Sequence, residues 1–231
     1  MEISDKLAFE IYTIILFHTA AVLVLMGFTL YIYLRAKKTP LLYSYLCVVA
    51  MLLVWMLSKI FKTVSPTQPM RWFFIVTQYF GVEFLGFCLI LFAFLYTRNR
   101  LPAKKWLLLM IIPPVTGFVI VLTNPLHMGF YSYFDFYRDK FGSLFLPVQA
   151  FQYLYLVVGI LLLSRGFTHQ PGFSGRKALA RILASLVLLP LMLNLYYLLF
   201  KFTDLKWIFP FPVFDAPNGF AHLLVNLSQL L

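Results

Sequence analysis

Six long apolar stretches dominate the chain, and short segments rich in proline, glycine and charged residues separate them. A helix that crosses ~30 Å of hydrocarbon at ~1.5 Å per residue needs about 20 apolar residues, and each stretch is at least that long. The pattern therefore predicts six full transmembrane helices. The stretches cover roughly residues 7–34, 41–64, 70–97, 103–124, 141–164 and 178–201.

A seventh, shorter segment begins near Pro217 and reaches Leu231. It is too short to cross a bilayer comfortably, so we expect a truncated last helix. Pro113 and Pro114 interrupt the fourth stretch, where each removes a backbone donor. No linker or internal repeat divides the sequence. We therefore predict a single all-α integral membrane domain over residues 1–231, with six full helices and a short seventh.

Positive charge is concentrated in every second gap between the stretches. The gaps at 35–40, 98–105 and 165–181 contain basic residues and no acidic ones. The interleaved gaps have far less net charge. Because Lys and Arg are retained on the cytoplasmic side, this predicts an external N-terminus and a cytoplasmic C-terminus. The basic residues of the three gaps are Arg35, Lys37, Lys38, Arg98, Arg100, Lys104, Lys105, Arg165, Arg176, Lys177 and Arg181.

The composition excludes a soluble protein. Apolar residues make up 62% of the chain and charged residues only 12%, so lipid must cover much of the surface. The net charge of +11 indicates contact with anionic lipid headgroups and not with nucleic acid. Membrane lipid is therefore the first predicted partner.

Ionisable and amide side chains inside the apolar stretches are the candidates for a functional site. Glu83 lies near the middle of the third stretch, where an isolated charge costs about a few kcal/mol. His18, Gln149, Gln152 and Asn194 lie at a similar depth in the first, fifth and sixth stretches. We take Glu83 as the central group and His18 as its candidate charge partner.

Helical spacing groups these residues on common faces. Tyr79, Glu83 and Gly86 stand at i, i+4 and i+7 and share one side of the third helix. The hypothesis is a polar ligand pocket that opens outward between helices. The alternative is a set of interhelical hydrogen bonds that only stabilise the bundle. The predicted ligand-binding residues are His18, Tyr79, Glu83, Gln149, Gln152, Tyr153 and Asn194.

The sequence contains no recognisable catalytic, metal or cofactor motif. The four histidines are scattered, and no phosphate-binding glycine loop follows a strand. We therefore predict a protein that is not an enzyme and that has no metal and no cofactor. The aromatic loop at 124–140 fits either an interfacial belt or a lid over the pocket.

Several short motifs occur in an order and spacing that resemble a known family. They are Thr77-Gln78-Tyr79-Phe80-Gly81, Phe92-Ala93-Phe94-Leu95-Tyr96-Thr97, Ile112-Pro113-Pro114, Leu122-Thr123-Asn124-Pro125-Leu126-His127, the stretch from Phe141-Gly142 to Leu163, and Leu189-Pro190 with Asn194. Over most of residues 11–217 the chain resembles the N-terminal seven-transmembrane region that precedes bacterial sensor histidine kinases and diguanylate cyclases.

The resemblance implies a sensing module in the bacterial plasma membrane that passes a change of state to a cytoplasmic output domain. The expected ligand is an unknown small extracellular or lipid-soluble molecule. A cytoplasmic kinase or cyclase and a second copy of the chain are the partners that this reading leaves open. The family continues through a complete seventh helix, which the segment from Pro217 to Leu231 does not match. The alternative function is a small-solute permease or a transporter accessory subunit.

Overall fold

The computed structural model describes residues 2–134 and 140–169. The predicted sixth helix with Asn194, and the segment after Pro217, lie outside these residues. In chain order the described elements are α1 (Glu2–Arg35), α2 (Pro40–Val64), α3 (Gln68–Arg98), α4 (Lys104–Leu122), α5 (Asn124–His127), β1 (Tyr131–Tyr133), β2 (Lys140–Phe141) and α6 (Phe145–His169).

Within the described ranges, five helices contain segments long and apolar enough to cross a membrane. They match the first five predicted stretches, which confirms a multi-pass membrane protein. The sixth span and the orientation in the bilayer stay predictions. The five segments are His18–Arg35, Pro40–Val64, Gln68–Arg98, Lys104–Leu122 and Phe145–Arg165.

Local sequence signals set the helix ends. The Thr39 hydroxyl accepts a hydrogen bond from the Leu42 amide at 3.4 Å, and Pro40 occupies the first turn of α2, where its missing N–H costs little. Helix α3 ends at Asn99, which adopts the left-handed conformation at φ 53° and donates its amide to the Leu95 carbonyl. Asparagine tolerates this conformation better than most residues.

Helix α3 lies at the centre of the described bundle and packs against α2, α4 and α6. Gly81 lets α2 approach closely, because an added Cβ would lie 2.6 Å from the Met51 carbonyl oxygen and 2.9 Å from the Trp55 nitrogen. Helix α1 packs on α2, where the hydroxyls of Thr29 and Tyr45 are 3.4 Å apart. The loops between α1, α2 and α3 are short, so these three helices alternate in direction.

Helices α3 and α6 run in the same direction. An added Cβ at Gly86 would lie 2.7 Å from the Tyr155 Cβ and 3.3 Å from the Leu156 nitrogen. Three residues further along both helices, an added Cβ at Gly159 would lie 2.8 Å from the Leu89 Cγ. The constant offset between the paired positions requires a parallel arrangement. Small residues permit this close contact without a hydrophobic driving force between helices in lipid.

Helix α4 continues through Pro113 and Pro114. A proline at position 114 cannot donate to the Met110 carbonyl four residues earlier. The Tyr155 hydroxyl donates to that carbonyl at 2.8 Å instead. This is the type of compensation that allows proline inside a membrane helix. The bond also fixes the position of α4 against α6.

Residues 124–134 and 140–144 form a structured unit at one end of the bundle, built from α5 and the antiparallel pair β1–β2. The Asn124 side chain is fully buried and organises it. Its oxygen accepts from the amides of Phe130 at 2.8 Å and Tyr131 at 3.0 Å, while its nitrogen donates to the Tyr131 carbonyl at 3.1 Å. We call this side of the bundle the hairpin end, and the opposite side, which includes Arg35 and Arg98, the basic end.

The fifth predicted stretch began near residue 141, and α6 begins four residues later, within the ~2–4 residues expected for such boundaries. The chain from 141 to 144 belongs to the hairpin, because the Gly142 amide donates to the Phe130 carbonyl and the Leu144 amide to the Gly129 carbonyl, both at 2.8 Å. Helix α6 starts at Phe145.

Candidate functional site

Glu83 lies in the middle of α3 and is buried, with only 4% of its surface exposed. Its carboxyl group lies against the backbone of α4 at Gly117. A Cβ added at Gly117 would lie 2.5 Å from Glu83 Oε2, 2.9 Å from Glu83 Cδ and 3.3 Å from Val148 Cγ1. Three helices, α3, α4 and α6, therefore meet at this carboxyl group.

Gln152 lies at the same level on α6. Gly86 is opposite Tyr155 and Leu156, so the residue three positions earlier on α3, Glu83, is opposite the segment that contains Gln152. Gln152 is also one turn from Val148, which contacts the Gly117 position. We name the group formed by Glu83, Gly117, Val148 and Gln152 the Glu83 junction.

Two acceptor atoms of the junction have no hydrogen-bond donor. They are Glu83 Oε1 and Gln152 Oε1, both buried and both without a hydrogen-bond partner in the described part of the chain. Gln152 is 7% exposed. Most buried polar atoms in proteins are satisfied, and an unsatisfied one costs about 1–3 kcal/mol. Two such acceptor atoms at one level of the bundle therefore mark this position as a candidate binding site.

The other predicted residues of α6 border the junction. Gln149 is buried and follows Val148 directly. Tyr153 is half-buried and packs against the apolar core formed by α1, α2, α3 and α6. The structure thus brings Glu83, Gln149, Gln152 and Tyr153 to the same depth on two adjacent helices.

Tyr79 closes the hairpin side of the junction. It lies one turn from Glu83, and its hydroxyl is 2.9 Å from the Tyr131 hydroxyl. The ring packs edge-on against Phe130, with centroids 4.9 Å apart. Phe130 and Phe145 are buried in the same cluster. Phe130 and Tyr131 of the aromatic loop therefore pack on α3 one turn from Glu83.

Three phenylalanines line the seam between α3 and α4 beside the junction. Phe80 and Phe84 flank Glu83 in sequence, and Phe118 follows Gly117. The ring centroids of Phe80 and Phe84 are 4.9 Å apart, and those of Phe80 and Phe118 are 5.4 Å apart. These ring contacts pack α3 against α4 at the level of Glu83 and Gly117.

His18 is not brought to Glu83. It is 1% exposed and lies on the face of α1 that packs on α2, together with Ala21 and Val22. The structure forms no ion pair between His18 and the Glu83 carboxyl group. Asn194 lies outside the described residues.

The sequence reasoning missed Gly117 and Tyr155 as parts of this region. The signal for Gly117 is a glycine four residues after Pro113, which indicates close approach by another group. The signal for Tyr155 is a tyrosine at a similar depth in another helix, where its hydroxyl can donate to a carbonyl that lost its helical donor to proline. Within residues 2–134 and 140–169, no group of three or more His, Cys, Asp or Glu side chains is placed to hold a metal ion.

Comparison with curated proteins and with solved structures gives no match for the chain. A family model described as the N-terminal 7TM region of histidine kinase matches residues 15–225. The match covers all the described spans and continues beyond residue 217, where the motif-based resemblance ended. The matched part of these kinases is their membrane sensor region and not their catalytic region. The chain belongs to the family of N-terminal seven-transmembrane regions of histidine kinases, and it is a membrane sensor module of that family.

Proposed function

We propose that this chain senses a small extracellular or lipid-soluble molecule, or a proton, at the Glu83 junction. Binding there shifts the packing of α3, α4 and α6. The shift passes along these helices to the basic end, where a cytoplasmic histidine kinase or cyclase receives it. In this proposal residues 1–231 act as one domain in a bacterial plasma membrane, with the hairpin end outside.

The observation that carries the proposal is the contact between the Glu83 carboxyl group and the Gly117 backbone, beside a buried oxygen with no donor. A change in the charge or occupancy of Glu83 alters the distance that α4 can keep from α3. Because Tyr155 joins α4 to α6, a shift of α4 also acts on α6. Two helices that end at the basic side, α3 and α6, thus respond to one group.

The remaining predicted residues have defined parts in the proposal. Gln149, Gln152 and Tyr153 line the α6 wall, and Tyr79 holds the lid. His18 and Asn194 are proposed from the sequence alone as contributions from the first and sixth helices. A sensor requires that its ligand favour one helix arrangement over the other, since equal affinity for both shifts nothing.

The proposal is tested by fusing the chain to the output region of a histidine kinase and measuring autophosphorylation in membrane vesicles. Glu83→Gln keeps the size of the side chain and removes its charge. We expect basal activity to change about threefold or more, since a shift of only ~0.7 kcal/mol between two states has that effect. Thr77→Val is the control, because Thr77 is on the same helix and its hydroxyl bonds to the Phe73 carbonyl of its own helix.

Equal basal activity in Glu83→Gln, Thr77→Val and the parent fusion contradicts the proposal.

The permease alternative is tested on the purified chain in liposomes, with amino acids, sugars and monovalent cations as labelled solutes. A sensor accumulates none of them. The continuous α4 favours this outcome, because transporter sites are usually built from interrupted helices.

A further inference from the structure

We propose that the ligand of the Glu83 junction is a small monovalent cation, either an alkali metal ion or the ammonium group of a small organic solute. This inference rests on the proposed function and specifies the chemistry of its ligand. Oxygen atoms of Glu83 and Gln152 provide the binding groups.

The first argument is the imbalance of donors and acceptors. With Glu83 ionised, Glu83 Oε1 and Gln152 Oε1 are both acceptors, and both are buried without a hydrogen-bond partner in the described ranges. An anionic ligand, or one with acceptor atoms only, would add further acceptors and leave the shortage of donors in place. A cation or an N–H donor removes it, because charge-assisted contacts to a carboxylate are stronger than neutral hydrogen bonds.

The second argument is charge. Glu83 is the one carboxylate of the junction, and no Lys or Arg belongs to it. A single buried negative charge is neutralised by a single positive charge. Divalent cations in proteins use more oxygen ligands and commonly more than one carboxylate. The described residues contain no acidic cluster that would supply them.

The third argument is the shape of the surroundings. Gly117 offers only backbone, so α4 supplies a wall without a side chain to compete for the carboxyl group. Tyr79 and the hairpin cover one side, and Phe80, Phe84 and Phe118 line the seam with α4. An ion or a small ammonium group can lie against this backbone wall without displacing a side chain of α4.

The test measures thermal unfolding of the purified full chain in lipid nanodiscs at constant ionic strength. The added salts are the chlorides of sodium, potassium, methylammonium and N-methyl-D-glucamine, the last serving as a bulky reference cation. We expect one of the first three to raise Tm in a saturable way, since a ligand that binds only the folded state stabilises it. The identity of that salt distinguishes a metal ion from an ammonium group.

Glu83→Gln should abolish this selective response. Gln152→Leu should weaken the apparent Kd about tenfold or more, because it removes the second oxygen. Ser164→Ala is the control on the same helix, since its hydroxyl bonds to the Leu161 carbonyl within α6. If Glu83→Gln does not fold, as judged by circular dichroism, the Gln152→Leu titration decides.

Equal effects of all four salts on Tm overturn the inference. A selective response that survives in the folded Glu83→Gln variant also overturns it. If that variant does not fold, an unchanged Kd in Gln152→Leu overturns it instead. The kinase fusion separates this result from a failure of the proposed function. If no cation binds but Glu83→Gln still changes basal autophosphorylation, the ligand class is wrong and the sensor function stands.

Discussion

The Tyr155 hydroxyl donates a hydrogen bond at 2.8 Å to the Met110 carbonyl, the group that Pro114 leaves without its usual helical donor. One side chain of α6 therefore completes the hydrogen bonding of α4. Because the Met110 carbonyl of α4 depends on a donor from α6, a movement of one helix is coupled to the position of the other.

Tyr155→Phe should lower the free energy of unfolding by about 1–2 kcal/mol, the cost of leaving a partly buried carbonyl without a hydrogen-bond donor. Pro114→Ala restores an amide that can bond to the Met110 carbonyl. In the Pro114→Ala background, Tyr155→Phe should therefore cost clearly less. Chemical unfolding of the four proteins of this double-mutant cycle measures the coupling. Equal costs in both backgrounds would show that the hydroxyl does not compensate for the proline.

Gly117→Ala should disturb the contact between α3 and α4, because the added Cβ would lie 2.5 Å from Glu83 Oε2. We expect a loss of about 1–3 kcal/mol in stability, typical of overpacking. Gly27→Ala is the matched control. Nothing lies within 4 Å of an added Cβ at Gly27, so that variant should be neutral or slightly stabilising.

Combining Gly117→Ala with Glu83→Ala tests the cause of this loss. The shorter side chain removes the group that the new methyl meets, so the pair should be non-additive, and Gly117→Ala should cost less in that background. Thermal unfolding in nanodiscs is the readout. If the stability losses of the two changes add up, the methyl group at position 117 does not clash with the Glu83 side chain.

Asn124→Ala should open the hairpin while leaving the bundle folded. It removes three hydrogen bonds, two of which are accepted from the buried amides of Phe130 and Tyr131. Amide exchange at these two residues should accelerate at least about tenfold, as for a loss of ~1.4 kcal/mol. Ser132→Ala is the control, because the Ser132 hydroxyl makes an exposed bond to the Lys140 carbonyl. Unchanged exchange in Asn124→Ala would contradict this role.

The helices were predictable from the sequence because their signals are local. Apolar stretches of sufficient length, together with Pro40 and Pro69 near helix starts, are enough to place α2 to α4 within two residues, whereas α1 begins five residues before its predicted start. The start of α6 was less predictable. Gly142 and Leu144 are held by the hairpin through bonds to residues 129 and 130, which the pattern of apolar residues does not reveal.

The central residue of the candidate site was predictable, and its surroundings were not. Glu83 is identifiable from the sequence because an isolated charge deep in an apolar stretch has a high free-energy cost in the membrane. Its contact with Gly117 depends on the relative position of α3 and α4, and helical spacing within one stretch carries no such information. The same limit explains why His18, chosen for its depth, is not the partner of Glu83: equal depth does not specify which helices are neighbours.

Tyr79→Phe and Tyr131→Phe should be coupled, since their hydroxyls form a buried pair at 2.9 Å. Either single change leaves one hydroxyl without its partner, and the double change removes both. We therefore expect the double variant to lose less stability than the sum of the single ones, by about 0.5–1.5 kcal/mol. Strict additivity would show that the pair does not couple β1 to α3.

The account depends most on the hairpin end facing the exterior, because only then does the covered Glu83 junction lie on the side from which an external signal arrives. Cys47 and Cys88 are replaced by Ala, and a single cysteine is placed at Ser132 in the hairpin or, as control, at Lys37 at the basic end. The measurement is labelling of intact and lysed cells with a membrane-impermeant thiol reagent. Labelling of position 132 in intact cells, with position 37 labelled only after lysis, is the predicted result. The reverse pattern would invert the protein in the membrane and contradict the proposed receptor.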